Sequence, residues 1–442
     1  MSAANLNNNN GKAVVKEEAT LPTAMEGVPA QTQTTTPGFK ELMHHSVAAL
    51  DSGNIMAVNA DLRAMSSLVS IDGHPSQRVA FAFAEALARR ALHQALPGLS
   101  WGLQLQFAQQ PTPAYTAAAR RCFGKLCPFL RIAASAVNNT IVTAMEAEQD
   151  VHVVDLGWTS PNQWADLLRL FAMRPQGPPV LRLTIISDRE EFLSYSAGLL
   201  TQAAMRWHVP FVFNPVRSHI DRLTARDIAA FGVHGGQALV ITSTLQLHRL
   251  IADETTIELP ATGASHVVGL LGPGSHKITK ADALLRVLCD LKPKLMVMTE
   301  QDSDHNCTNL WERVSNAFDY YSAIFNDMEV GGGAPRGSAD RAAVERLLLR
   351  EEIVDIVARE GSSRRERHES VKSWVERMGK AGFKPVPVIS DIPFVEGTVP
   401  PLHVGADGTV RYWMENKGLH IVINSRRTPI FSVTAWRPAR KN

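Results

Sequence analysis

Cysteine is scarce in this chain of 442 residues: Cys122, Cys127, Cys289 and Cys307 are widely scattered and show no Cys-x-x-Cys spacing. That scarcity argues against a disulfide framework and against a structural zinc site, and it suits a reducing compartment. An excess of one charge is also missing. With 45 Lys and Arg against 43 Asp and Glu, the formal net charge is only +2, too balanced for a protein that holds nucleic acid mainly by neutralising phosphates. Any contact with nucleic acid must then be local, and direct DNA binding would rest on basic residues such as Arg426, Arg427, Arg437, Arg440 and Lys441. No run of about 18 apolar residues occurs, which excludes a transmembrane helix. GxSxG, HExxH, a P-loop and a cysteine in a local catalytic signature are absent as well.

Hydrophobic residues make up 45% of the chain and charged residues 20%, an ordinary globular balance that can bury a large core. Residues 1–38 differ: NLNNNNGK and QTQTTTPG lack both the apolar centre of a secretory signal and the basic amphipathicity of a transit peptide, and are expected to form a disordered tail. From Phe39 the pattern is helical. Phe39, Leu42, Met43, Val47 and Leu50, then Val79, Phe83 and Leu87, fall at three- and four-residue spacing. A further Ala-rich helix is expected over Pro128–Glu148.

At Val151 the texture changes to short apolar runs, each followed by helical sequence: Val151–Leu156, Val180–Ile186, Pro210–Val216, Ala238–Thr242 and Leu295–Met298. This alternation predicts βαβ units and a parallel sheet buried on both faces. Gly418–Asn424, the polar turn Ser425–Thr428 and Pro429–Trp436 predict a closing antiparallel hairpin. Together they describe an α/β fold, a methyltransferase-like doubly wound (Rossmann-type) sheet closed by a hairpin. A helical insertion, Leu310 to Arg377, is broken at Gly331–Gly337 and is expected to pack with the N-terminal helices as a cap. The expected organisation is one domain over 39–438, with a cap from about 39–110 plus 311–370 and a core from about 111–310 plus 371–438. The run Arg364-Arg-Glu-Arg-His-Glu369 mixes signs and is expected to be a salt-bridged, solvated surface.

The sharpest local signal is Val151-His-Val-Val-Asp155-Leu-Gly157, a buried strand ending in an acid and a glycine. In S-adenosylmethionine enzymes this turn brings backbone close to the cofactor and needs several small residues in succession. Here only Gly157 remains of such a loop, followed by Trp158, whose bulk crowds a nucleoside pocket. Asp188 and Glu190 follow the second strand, where a carboxylate can accept bonds from a ribose. Asp155, Gly157 and Asp188 are therefore at most a remnant of a cofactor site, and no cofactor is expected. His152 lies inside the first strand, as a core histidine does. Glu300-Gln-Asp302-Ser-Asp304-His305-Asn306 follows the fifth strand, and could hold a divalent metal or cap the next helix and bond neighbouring loops; capping is the expectation. Trp311, Trp374, Trp413 and Trp436 are expected in the core.

These segments, in order, resemble the motif set of the GRAS family. Phe39–Leu92 is similar to its first leucine-rich region and Val151-His-Val-Val-Asp155 to its VHIID motif. Leu245-Gln-Leu247-His248-Arg249-Leu250 is similar to its second leucine-rich region, and Glu300-Gln-Asp302 with His305-Asn306 to its Glu-Gln-Asp segment. Phe318–Phe325 and Val344-Glu345-Arg346 resemble its PFYRE region, and Phe431–Trp436 its closing SAW motif, with Thr434 in place of Ser. Gln163–Leu168 and Arg174–Thr184 are most similar to the scarecrow-like branch, scarecrow-like 3-type proteins included, and a DELLA-type degron is absent.

What the resemblance implies is a land-plant regulator, nuclear and also cytoplasmic, without catalysis. It would join other GRAS proteins, as a homo- or heterodimer, and zinc-finger proteins, in growth, root development or gibberellin-linked signalling. DNA contact would be mainly indirect. The leucine-rich helices would offer an apolar stripe to a partner helix, the cap would mediate pairing, and a core groove would take a peptide. Val151, His152, Asp155, Leu245, Leu247, His248, Arg249, Glu345, Arg346, Trp374 and Trp436 are the expected motif and interaction residues. The alternative is an S-adenosylmethionine-dependent small-molecule methyltransferase.

Overall fold

The computed structural model describes residues 37–96, 113–157, 159–259, 274–330, 337–390, 402–404 and 410–439. Most of the expected tail (1–36), Trp158, most of the Gly331–Gly337 break, Arg440 and Lys441 lie outside this set. Pro37 and Gly38, assigned to the tail from sequence, already belong to the first helix.

Helix α1 (Pro37–Asp51) buries Phe39, Met43, Val47 and Leu50, which the 3.6-residue turn places on one face. After α2 (Ile55–Met65), α3 (Pro75–Ala95) begins with proline at its first position, and His74 and Gln77 form a reciprocal cap. The α3 side chains Val79, Phe83 and Leu87 are fully buried. They pack against two helices from far down the chain, α10 (Leu310–Val330) and α12 (Arg350–Ala358). Phe318 of α10 lies 5.7 Å from the Phe39 ring and 5.1 Å from the Phe83 ring. Burial of each such ring contributes roughly 2–3 kcal/mol, enough to hold together helices that are remote in sequence.

Charge joins the same helices. Buried Arg78 of α3 donates to both carboxylate oxygens of Glu345 at 3.1 and 3.0 Å and to Glu329 at 2.6 Å. Arg341, from α11 (Ala339–Val344), reaches Glu345 at 3.0 Å. The next turn, Glu345–Leu349, is widened to a π-helical turn before α12 begins. Helix α4 (Pro113–Leu126) packs on this 339–349 segment.

Helix α5 (Phe129–Ala144) leads to the sheet. Strands β1 (Asp150–Asp155), β2 (Val180–Ile186), β3 (Phe211–Val216), β4 (Ala238–Thr244) and β7 (Leu295–Gln301) alternate with α6 (Pro161–Ala172), α7 (Glu190–Trp207), α8 (Ala225–Ala230) and α9 (Lys280–Asp290). All four strand pairs among these five are parallel, and β1, β4 and β7 are almost wholly buried, as their unbroken apolar runs require. A separate antiparallel pair, β5 (Glu254–Leu259) with β6 (Gly274–Thr279), interrupts the alternation without joining the sheet.

Helix α13 (Val371–Lys380) and β8 (Phe383–Val386) precede β9 (Leu402–Val404), β10 (Val410–Asn416), β11 (His420–Ser425) and β12 (Thr428–Pro438). The main sheet runs β3-β2-β1-β4-β7-β12-β11-β10-β9, with β8 also paired to β12. The expected hairpin is β11–β12, antiparallel to each other, with β12 antiparallel to β7. Strand order reverses between β2 and β4 on either side of β1, and such a reversal opens a crevice at the carboxyl ends of the strands.

Candidate functional groove and the ionic knot beneath it

That crevice is a groove of about 1320 Å³. Residues at the ends of all five parallel strands reach it, among them Gly157, Asp188, Ser218, Gln246 and Gln301, and helices α4, α5 and α10 wall it opposite. Its size exceeds the roughly 300–1,000 Å³ of most small-molecule sites.

The turn after β1 is built around one buried carboxylate. Asp155 Oδ1 accepts from the Gly157 backbone N–H and the Thr159 hydroxyl, each at 3.0 Å, and Oδ2 accepts from Trp164 Nε1 at 3.0 Å. Burial pushes its pKa up to about 6, against the pull of these three bonds. Gly157 has φ +104°, and a Cβ there would sit 2.9 Å from the Ile186 carbonyl oxygen; only glycine fits. Asp188, the candidate ribose acceptor, is exposed and receives an N–H from Arg222 at 3.2 Å. His152 is fully buried and shares a 2.9 Å hydrogen bond with the Thr184 hydroxyl. Burial lowers its pKa to about 4, so it is a neutral core histidine.

Below the β4 and β7 ends lies a knot of ionisable groups. Glu300 Oε1 accepts from the backbone N–H groups of Gln246 (3.2 Å) and Leu247 (2.9 Å), and Oε2 lies 2.7 Å from His248 Nδ1. His248 Nε2 lies 2.9 Å from Glu366, which also accepts from Arg249. His368 Nε2 is 3.2 Å from the same Glu366 oxygen, and its Nδ1 is 2.7 Å from His305 Nδ1. Burial opposes charge on His248, but the Glu300 and Glu366 carboxylates outweigh it and raise its pKa to about 9. His248 is an imidazolium between two carboxylates, while burial first and neighbouring His charge second lower His305 and His368. His248, Glu366 and His368 are spaced for a metal ion, yet protons already tie all three together.

This corrects the expectation for Arg364–Glu369. The run is salt-bridged but not solvated: Arg364, Glu366, His368 and Glu369 are all buried, and Asp355 anchors it by accepting the Arg365 and Glu366 backbone N–H groups at 2.6 and 2.8 Å. Mixed sign concealed burial because each charge has an internal partner. The segment after β7 bonds neighbouring loops as expected, with Asn306 donating to Glu369 (2.7 Å), but it does not cap the next helix: Asp302 accepts the Val371 N–H at the start of α13 (3.1 Å), while Asn309 accepts the Glu312 N–H in the first turn of α10 (2.9 Å).

The expected interaction residues divide. Leu247, Trp374 and Trp436 are core, Arg346 is exposed, Glu345 is locked to Arg78, and Leu245 holds a left-handed turn at φ 53°. Trp311 and Trp413 are only partly buried, against His44 and bonded to the Arg426 carbonyl oxygen respectively. Of the candidate DNA contacts, Arg426, Arg427 and Arg437 are exposed. Among the described residues no cysteine is joined in a disulfide. Among the described residues, no helix is long and apolar enough to cross a membrane.

The GRAS domain family model matches residues 39–437. The chain belongs to the GRAS family. It is 34% identical to Scarecrow-like protein 3 of Arabidopsis thaliana over 87% of this chain and 86% of that one. It is 29% identical to Scarecrow-like transcription factor PAT1 of the same plant, over 88% and 74%. A crystal structure of SCL7 in Oryza sativa has the same fold, with TM-score 0.69 and 24% identity over 91% of this chain and 99% of that one. In this GRAS protein most periodic apolar positions of both leucine-rich segments are buried. Phe39, Val47, Phe83 and Leu87 face α10 and α12, and Leu247 and Leu250 lie in the core under the sheet. The buried part of the expected stripe is therefore the protein's own packing, while Met56, Ile71 and Leu92 of the first segment remain exposed.

Proposed function

We propose that this protein is a plant transcriptional regulator that acts by docking other transcription factors, GRAS and zinc-finger proteins among them, and that it performs no catalysis. The observation that carries this reading is the turn after β1. Both oxygens of Asp155 are spent on Gly157, Thr159 and Trp164, and Asp188 is drawn towards Arg222. Neither acid is set out to hold the ribose of S-adenosylmethionine, while the groove persists as a wide surface. The strand order, with antiparallel β12 beside β7, supports descent from a methyltransferase-like sheet, and a fold retained without its chemistry is common.

Within one domain over 39–438 the cap, about 39–110 plus 311–370, carries helices α1–α3 and α10–α12 and mediates GRAS pairing, and about 111–310 plus 371–438 is the core. Nuclear action, with some cytoplasmic presence, in growth, root development or gibberellin-linked programmes is part of the same reading, and the transcription-factor name of the PAT1 relative supports the nuclear part. Mixing the full chain with a second GRAS protein and with a zinc-finger factor, followed by light scattering on a sizing column, tests the reading. A stable complex with at least one is expected. A chain that binds neither, yet methylates an acceptor with S-adenosylmethionine, overturns it.

A further inference from the structure

The knot around His248 contains a set of donor atoms that the docking function does not use. His248 Nε2, Glu366 Oε2 and His368 Nε2 lie within 4.8 Å of one another, and Glu366 Oε2 is 2.9 Å from the first nitrogen and 3.2 Å from the second. Two imidazole nitrogens and a carboxylate oxygen suit zinc, whose bonds of about 2.0–2.2 Å set donor-to-donor edges of roughly 3.3 Å in a tetrahedron. Both separations are close to that edge, so little movement admits an ion. Burial alternates along the extended segment that supplies two of the donors. Arg364, Glu366 and His368 are buried while Arg365 and Arg367 are partly exposed, so residues two apart face inward together. Among the described residues, no other group of three such side chains is spaced for an ion.

Spacing alone would describe any buried ion-pair cluster; the far side of each donor distinguishes this one. His248 Nδ1 is 2.7 Å from Glu300 Oε2, and Glu300 is itself fixed by the Gln246 and Leu247 N–H groups. His368 Nδ1 is 2.7 Å from His305 Nδ1, and His305 Nε2 is 2.8 Å from Ser303 Oγ. Glu366 Oε1 accepts from Arg249. Each donor side chain thus turns one atom to a common centre and has its other polar atom bonded outward, which is how the tautomer and aim of metal-bound histidines are fixed.

We propose that His248, Glu366 and His368 form a structural zinc site that clamps the end of β4 to the Arg364–Glu369 segment. The protons that tie the three together are those of the metal-free chain. Zinc replaces the proton on His248 Nε2, which leaves to solvent. His368 frees its Nε2 by donating from Nδ1 to His305 instead of accepting there, and His305 donates in turn from Nε2 to the Ser303 hydroxyl. The neutral His368–His305–Ser303 chain only reverses its direction of donation, with no proton gained or lost.

The test uses the full chain purified from cultures supplied with Zn2+, so that the ion is present while the buried ligands assemble. Elemental analysis after gel filtration should find about one zinc per chain, and the unfolding temperature should exceed that of chain made without zinc, as an ion bound only by the folded state requires. Chain made with Co2+ instead should show the visible spectrum of a four-coordinate nitrogen and oxygen site. His248→Gln and His368→Gln should each weaken zinc about a hundredfold or more. His45→Gln with His219→Gln, which removes two histidine–carboxylate pairs elsewhere in the fold, should leave it unchanged. Chain that carries no zinc, zinc retained equally by His368→Gln, or zinc lost with His45 and His219 overturns the proposal. If a ligand variant does not fold, the parent chain decides: a six-coordinate cobalt spectrum, or zinc uptake with no change in unfolding temperature, overturns it.

Discussion

The turn after β1 and the knot around His248 both bury carboxylates, but they are assembled on different scales. Asp155, Gly157, Thr159 and Trp164 lie within ten residues, so one local segment satisfies its own acid. The knot takes His248, Glu300 and Glu366 from three segments, with its histidine and Glu366 118 positions apart. A local site can be lost without unlinking the fold. The knot holds the end of β4, the end of β7 and the Arg364–Glu369 segment in one place, so its loss should be felt throughout the molecule.

The largest expected effect is therefore Glu366→Ala. It leaves His248 and Arg249 without their shared anion, and breaking such a buried pair costs about 3–5 kcal/mol. Urea unfolding measures it, and a loss under about 1 kcal/mol would show that the knot does not link the segments. Next is Gly157→Ala, which combines an adverse φ with a 2.9 Å clash and should cost roughly 2 kcal/mol or more. Trp164→Phe keeps the ring but removes the indole donor to buried Asp155; about 1–3 kcal/mol is expected, together with a further rise in the Asp155 pKa readable by carboxyl NMR.

The knot should also give stability an alkaline limb. The pKa of His248 is raised from an unfolded value of 6.5 to about 9. Its contribution is fully present below about pH 6.5 and is lost as pH rises through about 9. Glu352, raised to about 8, has the same sign over a lower window, so the comparison with His248→Gln isolates the histidine. Unfolding free energy measured from pH 6 to 10 should fall more steeply in the parent chain than in that variant. Parallel curves would contradict a charged His248. The smallest effect is expected at Asp188→Asn, since its contact with Arg222 is between exposed groups and such pairs contribute under about 1 kcal/mol.

The same contrast explains what the sequence made legible. The inner parallel strands and the β11–β12 hairpin are visible because buried strands are mostly apolar; the edge strand β3, Phe-Val-Phe-Asn-Pro-Val, is only partly buried, against the expectation of burial on both faces. The glycine of the β1 turn was visible because acid and glycine stand together. Strands β5, β6, β8, β9 and β10 carry no such run: Phe383–Val386 is Phe-Lys-Pro-Val, and Val410–Asn416 mixes Arg, Trp and Glu. The burial of Arg364–Glu369 is illegible in the sequence because its charged and amide partners Arg249, His248 and Asn306 lie more than 60 residues away. The apolar periodicity of Phe39–Leu92 was read correctly as helix, but periodicity does not say whether the buried face meets another protein or α10 and α12 of the same chain.

The central claim is that this groove docks protein and has lost its cofactor. Titration calorimetry of the full chain with S-adenosylmethionine up to millimolar concentration tests it most directly. The account predicts no saturable heat. A one-to-one isotherm with micromolar affinity, abolished by Gly157→Ala and Asp188→Asn, would contradict it.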